Sequence, residues 1–246
     1  MPDTILHNLQ IIHQRITDAC TKSGRNSNEV RLLLATKTVP AERIKSALEA
    51  GEHLIGENKV QEIKEKFEGL KDTPHETHFI GHLQSNKIKE ILKYGVDCIQ
   101  SLDRLDLAEK LHQRLQFEKK TMNVYIQVNT SFEESKFGVA PQEAINLITK
   151  VSEFDTIKIK GLMTIGLFSA EEKKVRKCFQ LLKSIQQEAI QLQIPNVDLS
   201  ELSMGMSHDL EIAIEEGATI IRIGTAIFGE RNYPDSYYWN EQAEVK

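Results

Sequence analysis

Short aliphatic runs alternate along this chain with longer segments in which apolar residues recur at helical spacing. The runs end near Ala35, Ile55, Ile80, Gln100, Val128, Ile165, Ser203 and Ile223. The first, from Val30 to Ala35, reads as a strand buried on both faces. Helical patterns follow over 41–50, 59–70, 85–94, 104–119, 142–154, 170–192 and 208–216. Several close on a glycine (Gly51, Gly95, Gly217), and several open beside Asp103, Pro141 or Ser207. Pro40 is expected just inside the start of the first helix, with Gly51 just past its end. Eight strands joined by helical crossovers predict one α/β domain over 1–246, a (β/α)8 TIM barrel.

The last repeat is incomplete. After the eighth run only Thr225 to Lys246 remain, and Pro234 with Tyr237, Tyr238 and Trp239 leaves little room for a closing helix, so a short tail is expected over 232–246. An N-terminal helix over about 3–23, with Leu6, Leu9, Ile12, Ile16 and Ala19 on one face, is expected to fill the gap. A doubly wound open sheet is the alternative, but the GxGxxG turn that would favour it is missing.

A barrel brings its strand ends to one face, where ligands bind. Lys37 stands at the first of these ends, in a short βα loop, where a partly desolvated amine can act as a nucleophile; the plainer reading is a solvated loop lysine. Phosphate sites in such barrels are built from the loops after strands 7 and 8. Ser207 is placed to cap the helix at 208–216, either as a plain N-cap or with its hydroxyl toward an anion. Gly224, followed by Thr225, lets backbone approach a phosphate, or packs a strand against a helix. Arg222 is a charge inside an apolar strand. It pairs with a carboxylate such as Glu57 or faces the ring nitrogen of a heterocyclic cofactor. A lysine, a phosphate cradle and an arginine on one face suggest pyridoxal 5′-phosphate.

Composition narrows the alternatives. A net charge of -5 leaves no basic excess for nucleic acid. Cys20, Cys98 and Cys178 are far apart, as expected of reduced thiols in a cytoplasmic protein. Neither a signal peptide nor a membrane-spanning run is evident. His75, His78 and His82 lack the spacing of a metal motif, and His82 is the better candidate for a pocket wall. Lys136 reads as a solvated loop charge, or as a second, transient aldehyde-binding amine. No GxSxG elbow occurs, which argues against a hydrolase triad.

The segments ATKTVP, IGENKVQE, HFIGHLQSNK, IQSLDRL, IQVNTSFEESKFGV, IKGLMTIG, LSMGMSHDLEIAIEEG and RIGTAIFGER resemble the YggS/PROSC-type pyridoxal phosphate homeostasis proteins. The likeness implies an alanine-racemase-like barrel of fold type III without the racemase's C-terminal β domain. It also implies a Schiff base on Lys37, Arg222 at the pyridine nitrogen, Asn58 beside the ring, and Ser203, Ser207, Gly224 and Thr225 on the phosphate. Lys59 stands where the family often has an aromatic residue, which alters only the pocket rim. The expected role is to hold, buffer or deliver the cofactor to pyridoxal phosphate-dependent apo-enzymes, as a monomer and without robust turnover. Racemisation of an amino acid is the rival reading. It needs two positioned acid/base groups, and an arginine at the ring nitrogen weakens the cofactor as an electron sink. A scaffold role would need a partner surface, for which the Tyr233–Trp239 cluster is the candidate.

Overall fold

The structure, a computed structural model, describes residues 2–229; the expected tail at 232–246 and its aromatic cluster lie outside them. Eight parallel strands close into a barrel in chain order: β1 (Arg31–Ala35), β2 (Leu54–Glu57), β3 (Glu76–Phe79), β4 (Cys98–Leu102), β5 (Met122–Gln127), β6 (Ile157–Met163), β7 (Val197–Ser203) and β8 (Ile220–Ile223). The ring closes where Leu33 of β1 pairs with Arg222 of β8. Crossovers run through α2 (Ala41–Glu49), α3 (Val60–Leu70), α4 (Ile88–Lys93), α5 (Leu105–Glu118), α6 (Ala144–Ser152), α7 (Glu172–Gln191) and α8 (Leu210–Glu215), so the expected (β/α)8 barrel is the fold.

Most crossover helices start one to three residues later than the sequence expectation, α4 at Ile88 rather than 85, and two helix caps differ from it as well. Pro40 is the N-cap of α2, with extended backbone; its carbonyl accepts from the amides of Arg43 and Ile44, so the helix begins one residue later. Helix α8 begins at Leu210 rather than 208, because His208 and Asp209 form a turn after β7. Ser207 is therefore not its cap. Asp209 holds that position, and its Oδ1 accepts from the Met206 amide at 2.6 Å, which tightens the turn and displaces the helix start.

The N-terminal helix α1 (Pro2–Lys22) does fill the gap left by a short closing helix, α9 (Thr225–Phe228), and packs against α8, α9 and α2. Its buried stripe is Ile5, Leu9, Ile12, Ile16, Ala19 and Cys20; Leu6 is 40% exposed. The stripe starts one residue before the expected Leu6, because Ile5 lies four residues from Leu9 and so on the same face. Polar ties fix the helix: Asn8 Nδ2 donates to the Ile227 carbonyl at 2.9 Å, Arg15 pairs with Glu211 at 2.7 Å and Lys22 with Glu215 at 2.6 Å.

Strand alternation divides the core in two. Leu33, Leu54, Cys98, Tyr125, Met163 and Ile220 fill the barrel, while a larger apolar layer joins its outside to the helices. Above the inner apolar layer the inward positions turn polar, and the site begins there.

Candidate functional site

Strand β1 delivers Lys37. Beyond Ala35 the ladder continues for one residue, the Thr36 amide donating to the Gly56 carbonyl at 3.0 Å. The Val39 amide then donates to the Thr36 carbonyl at 2.9 Å and turns the chain into α2. Lys37 sits inside this turn, only 7% exposed, which rules out the solvated loop lysine. The next residue, Thr38, has φ +65°, a left-handed backbone that a β-branched residue rarely adopts and that costs about 1–2 kcal/mol.

Strand β8 delivers Arg222. Its parity with Leu33 points it into the barrel, where it is 6% exposed. It makes no salt bridge to Glu57, which pairs with Lys66 instead. Arg222 Nη1 donates to Ser203 Oγ and Nη2 to the Thr164 carbonyl, each at 2.8 Å. These use two of the five donors of a guanidinium. No carboxylate lies within ion-pair distance of it among the described residues, and burial pulls its pKa down to about 10, partly offset by the charge of Asp209.

Ser203 continues a hydrogen-bonded chain through the barrel. Its hydroxyl donates to Gln100 Oε1 at 2.6 Å, and Gln100 Nε2 donates to His78 Nδ1 at 2.6 Å. His78 Nε2 lies 2.6 Å from Glu76 Oε1, and Arg31 binds the other Glu76 oxygen. The His78 contact, with Arg31, holds the Glu76 carboxyl down at about 2, so it accepts only. The proton of His78 is therefore on Nε2, and every bond from Arg222 to Glu76 points the same way. The family resemblance implies Ser203 on the phosphate, and the sequence does not single out Gln100. A glutamine facing inward beside a buried arginine's serine is visible only once the strands are registered.

The remaining expected residues lie on neighbouring strand ends. Strand β8 pairs with both β7 and β1, and β1 with β2, so Ser203, Ser207, Arg222, Gly224, Thr225, Lys37 and Asn58 follow four consecutive strands, one contiguous half of the barrel mouth. Ser207 is half-buried in the loop after β7, and Arg15 Nη2 donates to its carbonyl at 3.0 Å. Gly224 has φ −124°, so no left-handed backbone calls for a glycine there. Its carbonyl accepts from Ile227 and Phe228, which leaves Thr225 and Ala226 at the head of α9. Asn58 follows β2, its carbonyl pressed against Gly81, where any Cβ would fall 1.9 Å from that oxygen.

His75, His78 and His82 diverge. His75 bonds the Thr73 carbonyl, His78 is committed inside the barrel, and His82 stacks on Phe137 with centroids 3.9 Å apart. Among the described residues no group of three His, Cys, Asp or Glu is placed to hold a metal. Lys136 is not a solvated charge: its Nζ donates to the Gly166 carbonyl at 2.7 Å and pairs with Glu133 at 2.5 Å. All three cysteines are buried and unbridged, and no described helix is long and apolar enough to cross a membrane.

Comparison with known proteins agrees with this fold. The profile of the family described as "Alanine racemase, N-terminal domain" matches residues 2–232. A "Pyridoxal phosphate homeostasis protein" of Aquifex aeolicus is 45% identical over 92% of this chain and 97% of its own. The solved structure of PipY from Synechococcus elongatus with PLP bound is 32% identical, with a TM-score of 0.76 over 87% of this chain and all of that one. An alanine racemase of Clostridium difficile, at 13% identity, shares the fold with a TM-score of 0.74, and this chain covers 57% of it. The chain belongs to the alanine racemase N-terminal domain family and, within it, to the pyridoxal phosphate homeostasis proteins.

Proposed function

We propose that the protein binds pyridoxal 5′-phosphate through Lys37 and holds or delivers it in the cytoplasm, as a monomer, to apo-enzymes that require it. The observation that carries this reading is Arg222: a buried guanidinium with donors to spare and no carboxylate partner among the described residues, on the strand next to Lys37. A buried cation without a counter-ion is costly, and an aromatic ring nitrogen accepting one of its free N–H groups would lower that cost. The cofactor would supply an aldehyde able to condense with an amine, and Lys37 would be the residue that holds it.

The protein's own residues then divide the work. Lys37 anchors. Arg222 donates to the ring nitrogen, and Ser203, Gln100 and His78 keep its guanidinium in place. Ser203 spends its hydroxyl on that chain, so the phosphate falls to Ser207, Gly224 and Thr225 at the head of α9. Asn58 borders the ring from β2. The relative's printed name and the cofactor in the PipY structure both support this reading.

The same arginine argues against racemisation. A guanidinium donating to the ring nitrogen leaves that nitrogen unprotonated, which weakens the withdrawal of electrons needed to labilise an α-proton. Exchange of the alanine α-proton in heavy water tests the choice. We expect no exchange at enzymatic rates with the cofactor-loaded protein; turnover on the order of 1 per second or faster would make it an enzyme.

A further inference from the structure

Lys66 is a second buried lysine, and nothing in the cofactor site accounts for it. It lies on the apolar stripe of α3 with Val60, Ile63 and Leu70, outside the barrel wall. Its Nζ donates to the Thr36 carbonyl at 2.8 Å, to Glu57 Oε1 at 2.7 Å and to Glu62 Oε2 at 2.8 Å. An ammonium has three donors, and all three are used. The acceptors are tied to the same turn. Glu57 Oε1 accepts the Thr36 hydroxyl at 2.6 Å, and Glu62 Oε2 accepts the Thr38 amide at 2.6 Å.

Thr36 and Thr38 are the residues on either side of Lys37. One is fastened by its carbonyl and hydroxyl, the other by its amide. Thr38 is also the residue held at φ +65°. A threonine persists in that conformation only where its surroundings impose it, and a charge-assisted bond to Glu62 is such an imposition. The outer side of the cluster borders a cavity of about 250 Å³ lined by Glu57, Lys66, Phe67, His75 and Tyr94. The cluster therefore reaches Lys37 from behind, through the backbone.

We propose that Glu57, Glu62 and Lys66 form a clamp that holds the strained turn around Lys37, making Glu62 and Lys66 positioning residues for its amine. The positioning half of this inference rests on Lys37 being the attachment point for pyridoxal phosphate; the clamp itself does not.

Two measurements on the full chain test it. The first is hydrogen exchange of the Thr38 amide in cofactor-free protein. The second is the rate at which added pyridoxal 5′-phosphate attaches, followed by visible absorbance. Loss of one bond to a charged group predicts that Glu62→Ala speeds Thr38 exchange about tenfold or more. Loosening of the amine predicts attachment slowed by about tenfold or more. Glu62→Gln keeps an acceptor oxygen and should restore most of both. Lys66→Met leaves two carboxylates facing each other, so the Lys66→Met/Glu57→Gln double variant is measured beside it and should move both readouts as Glu62→Ala does. Wild-type exchange at Thr38 in Glu62→Ala and in the double variant would overturn the clamp. Faster exchange with unchanged attachment would overturn its positioning role. Wild-type protein that takes up no cofactor would instead overturn the function proposed above, and Thr38 exchange alone would then judge the clamp.

Discussion

Burial drives the Glu57 carboxyl at the end of β2 up to about 7, against the pull of Lys66 and the Thr36 hydroxyl, which favour the ionised form, and with the help of the Glu62 charge on α3. A carboxyl whose folded pKa is raised binds a proton more readily in the native state than in the unfolded one. Its contribution is fully present below the ordinary value of 4.5 and is lost as pH rises through about 7. Glu57→Gln is neutral at every pH. Relative to that variant, the wild-type protein should therefore lose unfolding free energy steadily as pH rises from 5 to 8. Denaturant unfolding of both proteins across that range checks it; a difference that stays constant from pH 5 to pH 8 would show that Lys66 keeps Glu57 ionised throughout. At this scale the sequence was legible where a charge stood at the end of an apolar run, as Lys37 does, or inside one, as Arg222 does. Lys66 carried the same signal, a cation on the apolar stripe of α3, but helical lysines so often lay their stems on apolar surface that the signal did not point to burial. The roles of Ser203 and Ser207 depend on which neighbour each hydroxyl or carbonyl meets, and spacing along the chain does not fix that.

Helix α1 does for this barrel what a full closing helix would do after β8. It covers the seam between α8 and α2 with its buried stripe from Ile5 to Cys20 and ties itself to the short α9 through Asn8. Two adjacent residues separate packing from propensity here. Ile5→Ala opens a cavity under the helix and should cost about 2–5 kcal/mol. Leu6→Ala, at a 40% exposed position, should stay within about 0.5 kcal/mol. Urea midpoints of the two variants decide whether α1 is part of the cooperative fold: equal, small shifts would mean that it is not. The elements themselves were legible because each crossover changes the hydrophobic period, from a short continuous run to a spacing of three or four. Their ends were less so. The α8 boundary moved by two residues because Asp209 bonds backward to Met206, a local competition between turn and helix that the apolar pattern does not register.

Closure of the whole barrel is what converts scattered residues into a site. Lys37 and Arg222 are 185 positions apart in sequence, yet they sit at the ends of adjacent strands because β8 returns to pair with β1. That adjacency followed from counting eight strand–helix units. The polar chain from Arg222 through Ser203, Gln100 and His78 to Glu76 did not, because it crosses the lumen between strands that are not neighbours. The central claim is that this mouth holds pyridoxal phosphate on Lys37. Borohydride reduction of protein mixed with pyridoxal 5′-phosphate, followed by peptide mass mapping, tests it most directly, with Lys37→Ala alongside. The account predicts a pyridoxyl adduct on the peptide containing Lys37 and a colourless, unlabelled Lys37→Ala protein. A wild-type protein that takes up no cofactor, or an adduct that maps to another lysine and survives Lys37→Ala, would contradict it.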